Sequence, residues 1–296
     1  MSSITCLSPL RFYDSIAKQN HRKSYAFGHI SPLITRANSL APFQIVLPEK
    51  APYSLVDARI YDANTDEVWS KHSSNVAEDL IQRGLIFRSI EGYTVVQFPG
   101  VYPFDAVTFE GEFYLALRFR KNNTSEYIWL YSEIFCCTNN VQDCLELEYW
   151  NPENDFYLKN GVISLPENFH FKMLLKAEIG KPEYPYQEES VSRLGYTFIE
   201  SQVSKKTYRF NTVIPEYLCD ALRIVRLCSN KVIRSRDEEY DAITFDMEVD
   251  WQTQGDLASV TCEFEVDDVL TNIGGYKYTK PGGDFNNDYN NDFDKE

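Results

Sequence analysis

The chain has 296 residues, 43% of them hydrophobic and 25% charged, with a formal net charge of −15. That length suits two domains of ordinary size, each able to bury its own core, and no apolar run approaches the roughly 18 residues that a bilayer-spanning helix needs. The acidic balance argues against a nucleic-acid binder, which requires a basic footprint to displace counterions.

The charge is unevenly spread. Residues 1–40 hold Arg11, Lys18, Arg22, Lys23 and Arg36 against Asp14 alone, whereas residues 281–296 hold Asp284, Asp288, Asp292, Asp294 and Glu296 against Lys295. The first forty residues show no sustained period and carry scattered prolines, so they read as an N-terminal arm. They also lack a basic segment followed by an apolar one, and the expectation is a chain that starts in a cytoplasm. In a reducing compartment its 7 cysteines, an odd number without framework spacing, are expected as semi-buried thiols. Zinc at "CCTNNVQDC" (136–144) is disfavoured, because adjacent cysteines on a strand point to opposite faces and no histidine is near.

From "PFQIVL" (42–47) onward the pattern is strand-like. In "LVDARIYDANTDEVWS" (55–70), Val56, Ala58 and Ile60 fall on one face before an Asn-Thr-Asp turn. "SSNVAEDLIQRG" (73–84) predicts a short helix that Asn75 caps, with Glu78 at the capping-box position and Gly84 as the stop. "YTVVQF", "FYLALRF" and "YIWLYSEIF" follow, and the last two flank an Asn-rich turn that predicts a hairpin. In the second half, Ile243, Phe245, Met247, Val249 and Trp251 alternate with polar residues. After a Gln-Gly-Asp turn, Ala258, Val260, Cys262, Phe264 and Val266 alternate again. Such a hairpin has one buried and one exposed face.

The exposed face would carry Asp246, Glu248, Asp250, Glu263 and Glu265. Like charges paired across strands destabilise a sheet by some tenths of a kcal/mol each. The face is therefore either a solvated surface that keeps the sheet from sticking or an acidic surface that meets a basic partner. Arg11, Arg22, Lys23 and Arg36 in the arm of a neighbouring copy would be such a partner. The tail "KPGGDFNNDYNNDFDKE" (280–296) is low in complexity and is expected to be disordered; its aspartates lack the central glycine and terminal glutamate of a calcium loop.

The four histidines form no metal or protease pattern, and no nucleophile elbow, Walker loop or dinucleotide fingerprint occurs. The chain reads as a non-enzyme without cofactor. In "VIPEYLCDALRIVRLC" (213–228), Pro215 suits a first helical turn. Glu216 and Asp220 favour the N-terminal half, and Arg223 and Arg226 the C-terminal end. Leu218, Ala221, Leu222 and Val225 make one apolar stripe. Cys219 beside that stripe has no base in view, so the stretch reads as a helix plugging the open end of a β-sandwich.

"YSEIFC" (131–136), "LEYWN" (147–151), "KPEYPYQEESVSRLGY" (181–196), "SKKTYRFNTVIPEYLCDALRIV" (204–225) and "WQTQGDLASVTCEFEVD" (251–267) occur in an order that resembles a family of structural proteins encoded by phages and prophages of Bacteroides and relatives. "SPLRFYDSIAKQNHRKSYAFG" (8–28) is similar to that family's N-terminal segment, and the acidic tail matches nothing in it. The resemblance implies a virion structural protein, a tail, neck or baseplate component that forms rings or acts as an adaptor. Its partners would be copies of itself and other virion proteins, with assembly in the host bacterial cytoplasm.

The expected fold is all-β: two β-sandwich-like domains (41–144 and 145–275) with one or two short helices, an N-terminal arm (1–40) and a disordered acidic C-terminal tail (276–296). The competing function is a carbohydrate-binding β-sandwich module, since 20 Tyr, 19 Phe and 4 Trp supply flat rings. Trp69, Trp129, Trp150 and Trp251 decide between the two: burial, which the alternation predicts for Trp251, would remove its best candidates.

Overall fold

A computed structural model describes residues 8–15, 33–37, 39–47, 51–69, 76–90, 93–100, 110–152, 155–158, 161–164, 169–193, 196–251 and 257–273. The fold is all-β. In the first half the strands are β1 (Phe12–Tyr13), β2 (Leu33–Arg36), β3 (Phe43–Leu47), β4 (Tyr53–Asp62), β5 (Ile86–Ile90), β6 (Tyr93–Phe98), β7 (Gly111–Lys121), β8 (Tyr127–Ser132) and β9 (Phe135–Thr138). Next come β10 (Cys144–Trp150), β11 (Asp155–Leu158), β12 (Gly161–Ser164), β13 (Phe171–Lys176), β14 (Tyr186–Arg193) and β15 (Tyr196–Ser204). The chain continues with β16 (Thr207–Pro215), β17 (Asn230–Ser235), β18 (Glu238–Trp251), β19 (Leu257–Val266) and β20 (Leu270–Ile273). Two helices occur among the described residues, α1 (Val76–Gln82) and α2 (Glu216–Val225).

One 12-stranded sheet runs in the order β1-β8-β7-β9-β2-β13-β10-β17-β18-β19-β16, with β4 paired to β7 off this path. A second layer, β3-β6-β5, packs on its first half. There Phe12 meets Phe43 at 5.0 Å between ring centroids, and Phe87 stands edge-on to Phe119 at 6.1 Å. Two sheets whose aromatic and aliphatic faces interdigitate in this way form a sandwich. In the second half, α2 supplies the cover. Its stripe of Leu218, Ala221, Leu222 and Val225 is buried, as the helical spacing predicts, within the cluster that holds Phe210, Phe245 and Phe264.

The first forty residues do not stand apart where they are described. β1 pairs with β8, and β2 lies inside the sheet, parallel to β9 on one side and antiparallel to β13 on the other. Leu10 and Leu33 are fully buried. Where it is described, the expected N-terminal arm is therefore built into the sheet: "LITR" is too short to show a period, yet it is a central strand. The boundary at 144/145 falls at the first residue of β10, and the hydrogen-bonded path crosses from the first half to the second through β2. The acidic tail lies outside the described residues.

Helix α1 ends as Gly84 promises. The glycine takes φ +101°, and Leu85 N donates to Leu80 O at 2.9 Å, closing the last turn with both leucines buried. The β7–β8 hairpin also forms as expected, with Asn123 at φ 63° in its turn. Two strands depart from simple alternation because each carries a bulge. In β4 the register steps from Leu55 opposite Phe119 to Asp57 opposite Arg118, so Leu55 rather than Val56 is buried. In β18 it steps from Ala242 opposite Val266 to Thr244 opposite Glu265, which leaves Ile243 exposed and turns Phe245 inward.

Candidate functional site

Among the described residues, two of the four nominated basic residues have partners within their own chain. Arg11 Nη2 donates to Asp220 Oδ2 on α2 at 2.7 Å, and Arg36 Nη2 donates to Glu146 Oε2 on β10 at 2.9 Å. Arg22 and Lys23 lie outside the described residues. The nominated acids do gather on the outer face of β18 and β19, where Asp246 sits opposite Glu263 and Thr244 opposite Glu265. Three of them are also paired: Asp246 with Arg226 at 3.1 Å, Glu263 with Arg209 at 2.6 Å, and Glu265 with Lys205 at 2.9 Å. Glu265, expected on the exposed face, is instead buried in that last pair. Glu248 and Asp250 form no ion pair among the described residues. On β18, which has no partner strand beyond Asp241 on its β17 side, exposed carboxylates also keep an open edge from pairing with another chain.

Cys219 lies buried in the core-facing side of α2, and burial together with the Asp220 charge pushes its thiol up to about 11. Asp220 is held by Arg11 and, at 3.7 Å, by Arg223. The three therefore fix the N-terminal segment to the helix. On β9, Cys136 is half-buried and Cys137 buried, and burial pushes the Cys137 thiol up to about 12.

A charged ladder that the sequence reading passed over crosses the outer face of the sheet centre. Glu148 on β10 receives Arg234 Nη1 from β17 at 2.5 Å, Lys172 Nζ from β13 at 3.3 Å, and lies 2.7 Å from His170 Nδ1. Arg234 also reaches Glu146 at 3.2 Å and Glu239 on β18 at 2.6 Å. Burial opposes the Glu148 charge, but the hydrogen bonds from Arg234 and His170 and the Lys172 charge outweigh it and hold the carboxyl down at about 2. Trp150 lies flat against His170 at 4.1 Å. The signal was present as the i, i+2 acids of "LELEYW". Beside the ladder, an open cavity of about 310 Å³ has apolar walls that include Ile34, Leu40 and Leu174, with Arg36 and Lys172 at its lining.

The tryptophans divide. Trp69 packs edge-on against Phe113 of the core, whereas Trp129 is half-buried on the outer face of β8 and Trp251 is 47% exposed. The expectation that Trp251 is buried is corrected, although it shares a face with buried Ala258 and Ile214. The core ends before the strand does, which leaves the ring in solvent.

The third sheet, β14-β15-β20, extends from the β16/β19 ribbon. Every described side chain of its strands is exposed or half-buried, on both faces. Tyr184 is 66% exposed, Tyr186 56%, and Leu270 71%, with Tyr186 and Leu270 on one face through the register Tyr186–Ser204–Leu270. The extra residue of the β14–β15 bulge, Glu200, lies in β15, so β14 is an uninterrupted edge strand. Ordinary three-stranded sheets bury one face against something. This one buries neither among the described residues.

No family model matches the chain, and no curated protein or solved structure is significantly similar to it.

Proposed function

We propose that the chain is a phage virion structural protein, a ring or adaptor component of the tail, neck or baseplate that works through contacts with copies of itself and with other virion proteins. The observation that carries this reading is the β14-β15-β20 sheet. It leaves Tyr186 and Leu270 in water on a layer with no buried face among the described side chains, and large exposed hydrophobic side chains beside an open strand edge are what a docking element presents to a partner. The ordered segments that resemble phage structural proteins support the same reading. No helix among the described residues is long and apolar enough to cross a membrane.

Docking by exchange of a basic N-terminal arm loses two of its four charges, because Arg11 and Arg36 are paired within the chain. The β14-β15-β20 sheet takes its place as the docking element. The test is the mass of the full-length protein in solution by light scattering across a concentration series at low and high salt. A defined oligomer is expected. A monomer at every concentration, which also fails to bind other proteins of the particle, contradicts the reading.

A second reading, a carbohydrate-binding module, is favoured by one observation: Trp129 and its neighbours on β8 form an outward-facing row of rings.

A further inference from the structure

We propose that the outer face of β4, β7 and β8 is a binding platform for an acidic polysaccharide, one with carboxylates on some of its sugar rings. The inference rests on the second reading above and supplies its site and the charge of its ligand.

The face is built by register. Tyr127, Trp129 and Tyr131 alternate along β8, opposite Arg120, Arg118 and Ala116 of β7. Arg118 and Ala116 in turn face Asp57 and Arg59 of β4. The bulge at Val56 is what places Asp57, Arg59 and Tyr61 on this side while Leu55, Ala58 and Ile60 go to the core. The Arg118 guanidinium lies between two rings, 5.4 Å from the Tyr127 centroid and 5.3 Å from that of Trp129. Trp129 and Tyr131 are near-parallel at 6.1 Å. Asp57 holds two of the arginines, Arg59 at 2.9 Å and Arg118 at 3.6 Å. Tyr127 is 53% exposed, and Arg120 is exposed at the end of the row.

Two chemistries therefore converge. Flat rings with polar tips receive the apolar C–H face of a pyranose. Guanidinium groups already oriented by stacking and by one shared carboxylate take a second carboxylate in a bidentate fork. Three arginines against Asp57 make the Arg118–Arg120 end of this face positive in a chain of net charge −15, so the complementary ligand there is an anion, while Glu112 and the Asp66 that accepts from Tyr114 keep the opposite end acidic. A nucleic-acid strand also offers rings and charge, but it carries a phosphate at every nucleotide and needs a continuous basic track. An acidic polysaccharide with a carboxylate on every second or third ring matches three guanidinium groups interleaved with rings, and it tolerates the acidic remainder of the chain.

The experiment is affinity electrophoresis and titration calorimetry of the full-length protein against hyaluronan, heparosan and unsulfated chondroitin, each with a carboxylate on every second ring, with neutral dextran and a thirty-nucleotide oligothymidylate as contrasts. Binding to at least one of the three acidic polymers and not to dextran is expected, weakening as salt is raised. Trp129→Ala and Arg120→Glu should each lower the affinity tenfold or more while leaving the thermal midpoint within a few degrees. Trp251→Ala, on an exposed ring elsewhere, should leave it unchanged. Equal binding of dextran overturns the charge assignment, and sensitivity to Trp251→Ala but not Trp129→Ala overturns the site; either leaves carbohydrate binding standing. Preference for the oligonucleotide reassigns the face to nucleic acid, and no binding to any polymer overturns both the inference and the second reading.

Discussion

At Glu148 one carboxylate gathers Arg234, Lys172 and His170, and its side chain is only 10% exposed. A carboxyl held at about 2 instead of the ordinary value near 4.5 contributes stability above the ordinary value and loses it as pH falls toward 2. The shift corresponds to about 3 kcal/mol at neutral pH. Glu148→Gln should therefore lower the unfolding free energy by roughly 2–3 kcal/mol at pH 7, and the gap from the unsubstituted protein should close between pH 5 and pH 2. Urea unfolding at several pH values checks this; a gap independent of pH would mean that the ladder contributes packing and not charge. Cys219 makes a second prediction at this scale. A buried thiol pushed up to about 11 is almost wholly protonated at pH 8, so it should resist alkylation in the folded protein and react fully once urea is added. Rapid labelling of the native chain at that position, read by mass spectrometry, would contradict the packing described.

Alternation along a strand shows which residues share a face, and it fails where a bulge inserts one residue. β19 reads directly, since Ala258, Val260, Cys262, Phe264 and Val266 are all buried. β4 and β18 do not, because Val56 and Ile243 are the inserted residues and nothing in their chemistry marks them. Helix α2 was legible for the opposite reason: its apolar stripe, its proline start and its charge order all agree, and tertiary packing had nothing to override. The acids of the candidate acidic face were legible as a group on β18 and β19. Their cations Arg209, Arg226 and Lys205 come from β16, the end of α2 and the turn before β16, and only the fold brings these together. Leu222 is fully buried under the β16-β19-β18 layer. Leu222→Ala should cost about 2–5 kcal/mol, measured as a drop in the urea midpoint with an unchanged slope.

For the whole molecule, the long sheet makes the N-terminal residues structural. Removing residues 1–40 deletes β1 and β2 and so opens the sheet between β9 and β13, where Leu33 is fully buried. That truncation should melt without a cooperative transition or fail to stay soluble; a truncated chain that melts like the full-length one would show β2 to be dispensable. The hairpin of β14 and β15 is the contrasting case. Lys205 N donates to Pro185 O at 3.0 Å, so the two ends of the hairpin already meet, and a two-residue turn can replace residues 186–204 without straining the body. The most direct measurement is the light-scattering mass of that excised variant beside the full-length protein at equal concentration. An oligomer is expected for the full-length chain and a folded monomer, with its cooperative melt retained, for the variant. An excised variant that keeps the full-length oligomer mass would contradict the claim that this sheet is the docking element.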